Sequence, residues 1–204
     1  QNTWMDVKYD GIPATPRNGK PVEINAMWYN AIKVMVELAE YQKDESKKEK
    51  YERMANKCKK SFREKFYNKS KKCLYDVLED GKVRPNQLFA LSLSYPVLDV
   101  NSKEAKEMFE TVTKKLLNKY GLKTLAKGEE NYIDIYEGNS FKRDFSYHQG
   151  ITWTWLLGLY YNCLKRFATE SRTGKKKYNE QLEEFIQSVT ETFSKEINER
   201  GCIG

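Results

Sequence analysis

The sequence predicts an all-α protein built of helical hairpins, and three observations carry that reading. Apolar residues recur at three- and four-residue steps through most of the chain. Nothing in it reads as more than a short extended hairpin. Long loops alternate with the helices, which suits a helical toroid or solenoid better than a four-helix bundle with its short connections.

The elements follow in order. Asp10 to Pro21 holds three of the five prolines and is a turn-rich loop. Glu23 to Tyr41 is a helix with Ala26, Met27, Ala31, Val34, Met35 and Leu38 along it. A charged turn, Lys43 to Lys50, leads to a second helix marked by Tyr51, Ala55, Cys58, Phe62 and Phe66. Cys73 to Val83 reads as a hairpin around Asp80-Gly81. Pro85 opens a helix that Pro96 stops, and Asn101 with Glu104 forms a capping box for the next. Tyr120 to Ser146 is irregular. Ile151 to Phe167 is a helix apolar nearly all round, and Tyr178 to Ile197 is amphipathic. That makes about six helices.

Composition narrows the function. The chain has 204 residues, enough for one domain or a large piece of one, and 39% hydrophobic content excludes wholesale disorder. No apolar run reaches the roughly 18 residues of a membrane helix. The opening residues have neither an initial Met nor a signal-peptide pattern. A net charge of +7 invites a nucleic-acid reading, but the cations are 28 Lys against 8 Arg. The Lys-rich runs lack interleaved Arg and stacking rings, so no nucleic-acid partner is expected. Cys58, Cys73, Cys163 and Cys202 have no metal-site spacing and read as reduced thiols of a cytoplasmic protein.

Polar residues cluster beside aromatics in three places. The first is Trp4-Met5-Asp6 with Arg17, Glu23, Asn25 and Trp28; the second is Arg84-Pro85-Asn86-Gln87. The third is Asp144 and Tyr147-His148-Gln149-Gly150 with Trp153 and Trp155. Aromatic faces beside carboxylates, amides and Arg suit a sugar, whose apolar face stacks while its hydroxyls take hydrogen bonds. Glycoside hydrolysis adds a need for two carboxyl groups flanking the bond. Each piece has a plainer alternative: Trp4 as a core anchor, His148 as a structural residue, Trp153 and Trp155 as helix packing, Arg84 as an ion-pair partner.

Taken together, Thr3-Trp4-Met5-Asp6, Thr15 through Ala26, Arg84 to Gln87, Tyr147 to Gly150 with Trp153 and Trp155, and Arg200 to Gly204 occur in an order that resembles the C-terminal glucosidase domain of glycogen debranching enzymes. The resemblance implies part of an (α/α)6 toroid and hydrolysis, with inversion, of α-1,6-linked glucose stubs on glycogen or limit dextrin. It makes Asp6 the general acid, in apolar surroundings supplied by Trp4 and Met5. Trp4, Arg17, Glu23, Asn25, Trp28, Arg84, Asn86, Gln87, Asp144, Tyr147, His148, Gln149, Trp153 and Trp155 would line the substrate pocket. No metal or organic cofactor is implied. The family's general-base Glu follows the Arg200-Gly201-Cys202 block, and residues 1–204 end just before it. The chain is therefore expected to be a fragment of the domain, impaired as a catalyst alone. Its expected partners are branched α-glucan, the remainder of a parent chain and, as a possibility, a second copy. The alternative from another class is a non-catalytic glucan-binding or scaffold piece.

Overall fold

The computed structural model describes residues 3–202. Two long helices, α1 (Val22–Tyr41) and α2 (Glu45–Phe66), form the first hairpin. Pro21 is extended and starts α1, since it has no N–H to leave unpaired. Lys43 takes a left-handed φ of 57° at the turn, and the Asp44 carboxylate caps α2 by accepting from Lys47 N at 3.0 Å. The short α3 (Phe89–Ser92) continues a 3₁₀ turn, Pro85–Leu88, and packs between α1 and α6 (Leu156–Glu170). Helix α4 (Lys103–Leu116) lies beside them, and α5 (Ser140–Ser146) is a single short helix on the loop side. The second long hairpin pairs α6 with α7 (Lys175–Arg200), which is bounded by left-handed Gly174 and Gly201.

Among the described residues, strand structure is confined to short ribbons: β1 (Lys8–Tyr9) with β2 (Ile12–Pro13), β3 (Tyr67–Asn68) with β4 (Cys73–Leu74), and β5 (Leu117–Asn118), β6 (Gly121–Lys123) and β7 (Thr152–Trp153) in that order. All pairs are antiparallel. The fold is mainly helical, in line with the all-α reading.

Three local expectations are corrected. Cys73-Leu74 pairs backwards with Tyr67-Asn68, so the Cys73–Val83 hairpin does not form. Around Asp80 the expected hairpin shrinks to one antiparallel bridge, Val77 with Asp80, with Asp80 N on Val77 O at 2.7 Å and Asp76 N on Asp80 O at 3.0 Å. The cap of α4 is Ser102, which accepts from Ala105 N at 3.2 Å; Asn101 instead accepts from Arg172 N at 2.7 Å and ties α4 to the α6–α7 connection. Helix α6 starts at Leu156 rather than Ile151, because β-branched and aromatic residues 151–153 add to the β6 edge. Close approach there requires Gly121, where a Cβ would lie 2.4 Å from Trp153 O.

The core runs through the centre: Leu88 and Leu91, Met108, Val112 and Leu116 of α4, Leu122, and Leu156, Leu164 and Phe167 of α6 are all buried. Phe109 stacks on Tyr160 at 4.9 Å and Phe167 on Tyr178 at 4.8 Å, which fixes α4, α6 and α7 together. Cys73 and Cys163 are buried free thiols, Cys58 is half-buried and Cys202 exposed. Among the described residues no helix is long and apolar enough to cross a membrane.

Candidate active site

The loops at the ends of these hairpins bring most of the sequence-predicted residues to one region, in two layers. The outer layer is aromatic. Trp4 meets the edges of His148 at 4.9 Å and Trp155 at 5.0 Å, and Trp153 lies 6.4 Å away. Tyr147 packs edge-on against His148 at 4.8 Å and Trp153 at 4.7 Å, while His148 stacks on Trp153. The Trp153 indole is held by the Tyr147 carbonyl at 3.1 Å. Asp6 sits two residues from Trp4 and is exposed to solvent.

Met5 turns the other way. It is fully buried, with its sulfur 3.5 Å from Asn86 Nδ2 and 3.9 Å from an Arg84 nitrogen. The apolar surroundings expected around the Asp6 carboxyl group are therefore not built by Met5, whose side chain belongs to the layer beneath.

That inner layer is a buried lattice of charge. Arg17 holds both Glu23 oxygens, at 2.5 and 2.7 Å, and both Asp76 oxygens, at 2.6 and 3.1 Å. Asp76 also accepts from Asn86 Nδ2 at 2.8 Å and lies 3.7 Å from Arg84 Nε. Asn86 Oδ1 in turn accepts from the Trp4 indole at 2.7 Å, which joins the two layers. Arg84 donates to the carbonyls of Thr124 and His148 and to Gln149 Oε1. Gln149 donates onward to the Ala14 carbonyl, and Gln87 binds the Arg84 carbonyl and Leu74 N. Two cations and two anions thus neutralise each other away from water, the condition under which buried charge is tolerated.

The electrostatics follow from burial. Burial works against the Arg17 charge, but the hydrogen bond Arg17 donates to Glu23 and the field of Asp76 outweigh it and raise its pKa. Burial lowers the pKa of Arg84, with Asp76 opposing. His148 is pushed down to about 4, first by burial and then by Arg84, while Asp6 pulls the other way. The imidazole is accordingly neutral at pH 7. Both of its ring nitrogens are buried with no hydrogen-bond partner among the described residues.

Three predicted residues lie elsewhere or stand apart. Asn25 binds the Pro21 carbonyl at 2.8 Å, and Trp28 is about half exposed; both line a groove of about 440 Å³ between α1 and α2 that contains none of the aromatic group. Asp144 is half-buried on α5 and makes no ion pair among the described residues. The second cleft near the lattice, about 330 Å³, is lined by Ala14, Thr15, Arg84, Ile133, Phe145 and Gln149. Asp76 was missed from the sequence. The signal was available: two arginines in the loops needed carboxylate partners, and Asp76 stands between Leu74 and Val77 in a buried stretch.

The family described as amylo-alpha-1,6-glucosidase matches residues 1–200. The chain belongs to this family. It is also similar to the glycogen debranching enzyme of Saccharomyces cerevisiae (strain ATCC 204508 / S288c), with 25% identity over 211 residues. That match covers 81% of this chain and 14% of the yeast protein, so the chain spans a small part of its relative. Of the blocks that suggested an amylo-alpha-1,6-glucosidase in the sequence, the fold gathers Trp4-Met5-Asp6, Arg17 with Glu23, Arg84 to Gln87, and Tyr147 to Gln149 with Trp153 and Trp155 into the aromatic layer and the lattice beneath it; Arg200 to Cys202 lies at the end of α7, and residues 203–204 lie outside the described residues.

Proposed function

We propose that this chain is the part of a glycogen-debranching α-1,6-glucosidase that carries the general acid, and that Asp6 is that acid. The observation that supports it is the exposed carboxyl group of Asp6 beside a wall of five rings, Trp4, Tyr147, His148, Trp153 and Trp155, in a chain of this family. Rings of this kind stack on a pyranose face, and Trp155, about half exposed beside Trp4, presents such a face to solvent. The substrate would be a single α-1,6-linked glucose on branched glucan. Asp6 would protonate the leaving oxygen while a second carboxylate, from outside residues 1–204, activates water roughly 6.5–9.5 Å away, with inversion.

The same reading sorts the remaining residues. Arg17, Glu23, Arg84, Asn86, Gln87 and Gln149 spend their polar atoms on one another and on backbone, so we assign them to positioning rather than sugar contact. Asn25, Trp28 and Asp144 would act outside the glucose pocket. The helical hairpins would form part of an (α/α)6 toroid completed by other residues of a parent chain, working in the cytoplasm. In the parent enzyme, Asp6→Asn should lower glucose release from limit dextrin at least a thousandfold and leave dextrin binding within twofold. Undiminished release from the Asn variant would remove Asp6 from the chemistry and favour a non-catalytic glucan-binding role.

A further inference from the structure

Residues 129–141, Glu129 to Phe141, were an irregular connection in the sequence, and the structure gives them a definite place. The segment is pinned to the floor of the site. Ile133 N donates to Gln149 O at 2.7 Å, and the Tyr132 ring lies where a Cβ on Gly150 would be, 2.7 Å from it. Tyr132 is held further by Lys123 and Asp134. Asn139 then caps α5 by accepting from Lys142 N at 3.0 Å. Anchored at both ends, the segment exposes Ile135 (57%), Tyr136 (50%) and, at the start of α5, Phe141 (45%). Phe141 is backed by Tyr9 of β1 at 5.0 Å.

This exposed apolar surface is continuous with the ring wall, because Tyr136 lies 5.9 Å from Tyr147. The segment has no cation of its own. Residues 129–141 contain Glu129, Glu130, Asp134 and Glu137 and no Lys or Arg; Glu129, Glu130 and Asp134 are offset by Lys71, Lys82 and Lys123, which leaves Glu137 without an ion pair among the described residues. With those lysines spent on its carboxylates, the segment offers no free cation to a polyanion; a neutral polyhydroxylated chain suits it, with the Tyr136 and Phe141 rings to stack on and Glu137 to accept from its hydroxyls.

We propose that Tyr136 and Phe141 form a ledge that binds the α-glucan chain leading away from the glucose pocket. The proposal rests on the glucan reading above. The ledge supplies affinity for polymer, whereas the rings beside Asp6 recognise the terminal sugar.

The test uses the 204-residue chain with two ligands, glycogen by co-sedimentation and isomaltose by tryptophan fluorescence. Tyr136→Leu should weaken glycogen binding about tenfold, the loss of one good contact, and change isomaltose binding less than twofold; Tyr136→Phe, which keeps the ring, should match wild type for both. If Tyr136→Leu fails to fold, judged by circular dichroism, Phe141→Leu on the same ledge takes its place with the same expectation. Wild-type glycogen affinity in the Leu variant, with isomaltose still bound, overturns the ledge alone. A wild-type chain that binds neither ligand overturns the glucan reading and the ledge with it. If the Leu variant loses self-association in sedimentation velocity but keeps glycogen affinity, the surface is a contact between copies and the ledge is wrong.

Discussion

The Trp4 indole donates to Asn86 Oδ1 at 2.7 Å, and the same Asn86 side chain donates to Asp76 at 2.8 Å. One amide therefore links the loop that carries Asp6 to the buried charge lattice, across 82 residues of sequence. Replacing Asn86 with Ala removes both bonds, leaves the Trp4 indole N–H without a partner and leaves the Asp76 oxygen with Arg17 alone, at 3.1 Å. Buried groups left unsatisfied cost about 1–3 kcal/mol each. Asn86→Ala should thus lower unfolding stability by roughly 3 kcal/mol, and Trp4→Phe by less, since it removes only one of the two bonds and keeps an aromatic ring in the wall. Urea unfolding of both variants measures the difference; equal, small losses would mean that the loop is not held this way.

The Arg17–Glu23–Asp76 group should respond asymmetrically. Arg17→Met leaves two carboxylates buried together with only Arg84 near, and loss of one member of a buried ion pair typically costs about 3–5 kcal/mol. Arg17→Lys should not rescue it, since one ammonium cannot hold Glu23 and Asp76 by paired bonds as the planar guanidinium does. Arg17→Met/Glu23→Gln should recover at least 1 kcal/mol relative to the sum of the single changes, because the stranded charge goes with its partner. A double-mutant cycle in urea gives that coupling directly, and strict additivity would count against the lattice.

His148 makes stability depend on pH. Its pKa lies at about 4 in the folded chain, below its ordinary 6.5, through burial and the Arg84 charge. The unfolded chain therefore binds the proton first. The contribution is complete above about pH 6.5 and is lost as pH falls toward 4, amounting to about 3 kcal/mol over that window. As the single histidine of the protein, it can be separated from the carboxylates by substitution. His148→Phe should flatten the fall in stability between pH 6.5 and 4.5, where most carboxylates are still ionised. An unchanged slope would place the cause elsewhere.

What the sequence disclosed, and what it did not, follows from the range of the interactions. The hairpins α1–α2 and α6–α7 were legible because their apolar spacing is local, over four residues at most. The start of α6 was misread because Thr152-Trp153 pairs with β6, some thirty residues earlier, and that pairing overrides local periodicity. The site was legible as a set of residue types, Trp4, Asp6, Tyr147, His148 and Trp153 among them. Its division into a ring wall and a buried lattice was not, since that depends on where Asp76 lies relative to Arg17 and Arg84. Nor does spacing reveal that Tyr136 adjoins Tyr147, because the two lie on either side of α5 and no single periodic element carries both.

Gly150 tests whether the loop around residues 129–141 must be pinned for the site to form. Its φ of 145° is one that side chains rarely adopt, and an added Cβ would stand 2.6 Å from the Ile133 carbonyl oxygen and 2.7 Å from the Tyr132 ring. The oxygen is backbone and cannot swing aside, so the loop itself must shift. That shift would stretch the Ile133 N to Gln149 O bond and draw on Gln149, which holds Arg84 at 2.8 Å. Gly150→Ala should cost about 2–4 kcal/mol from strain and displaced packing. Gly128→Ala, just before this stretch, also sits at a positive φ, 92°, but meets nothing within 4 Å, so it should cost only about 1 kcal/mol. Thermal unfolding of the two variants side by side separates backbone strain, common to both, from the steric contact unique to Gly150. Equal losses would mean that the loop follows the glycine without resistance and that the lattice does not depend on it.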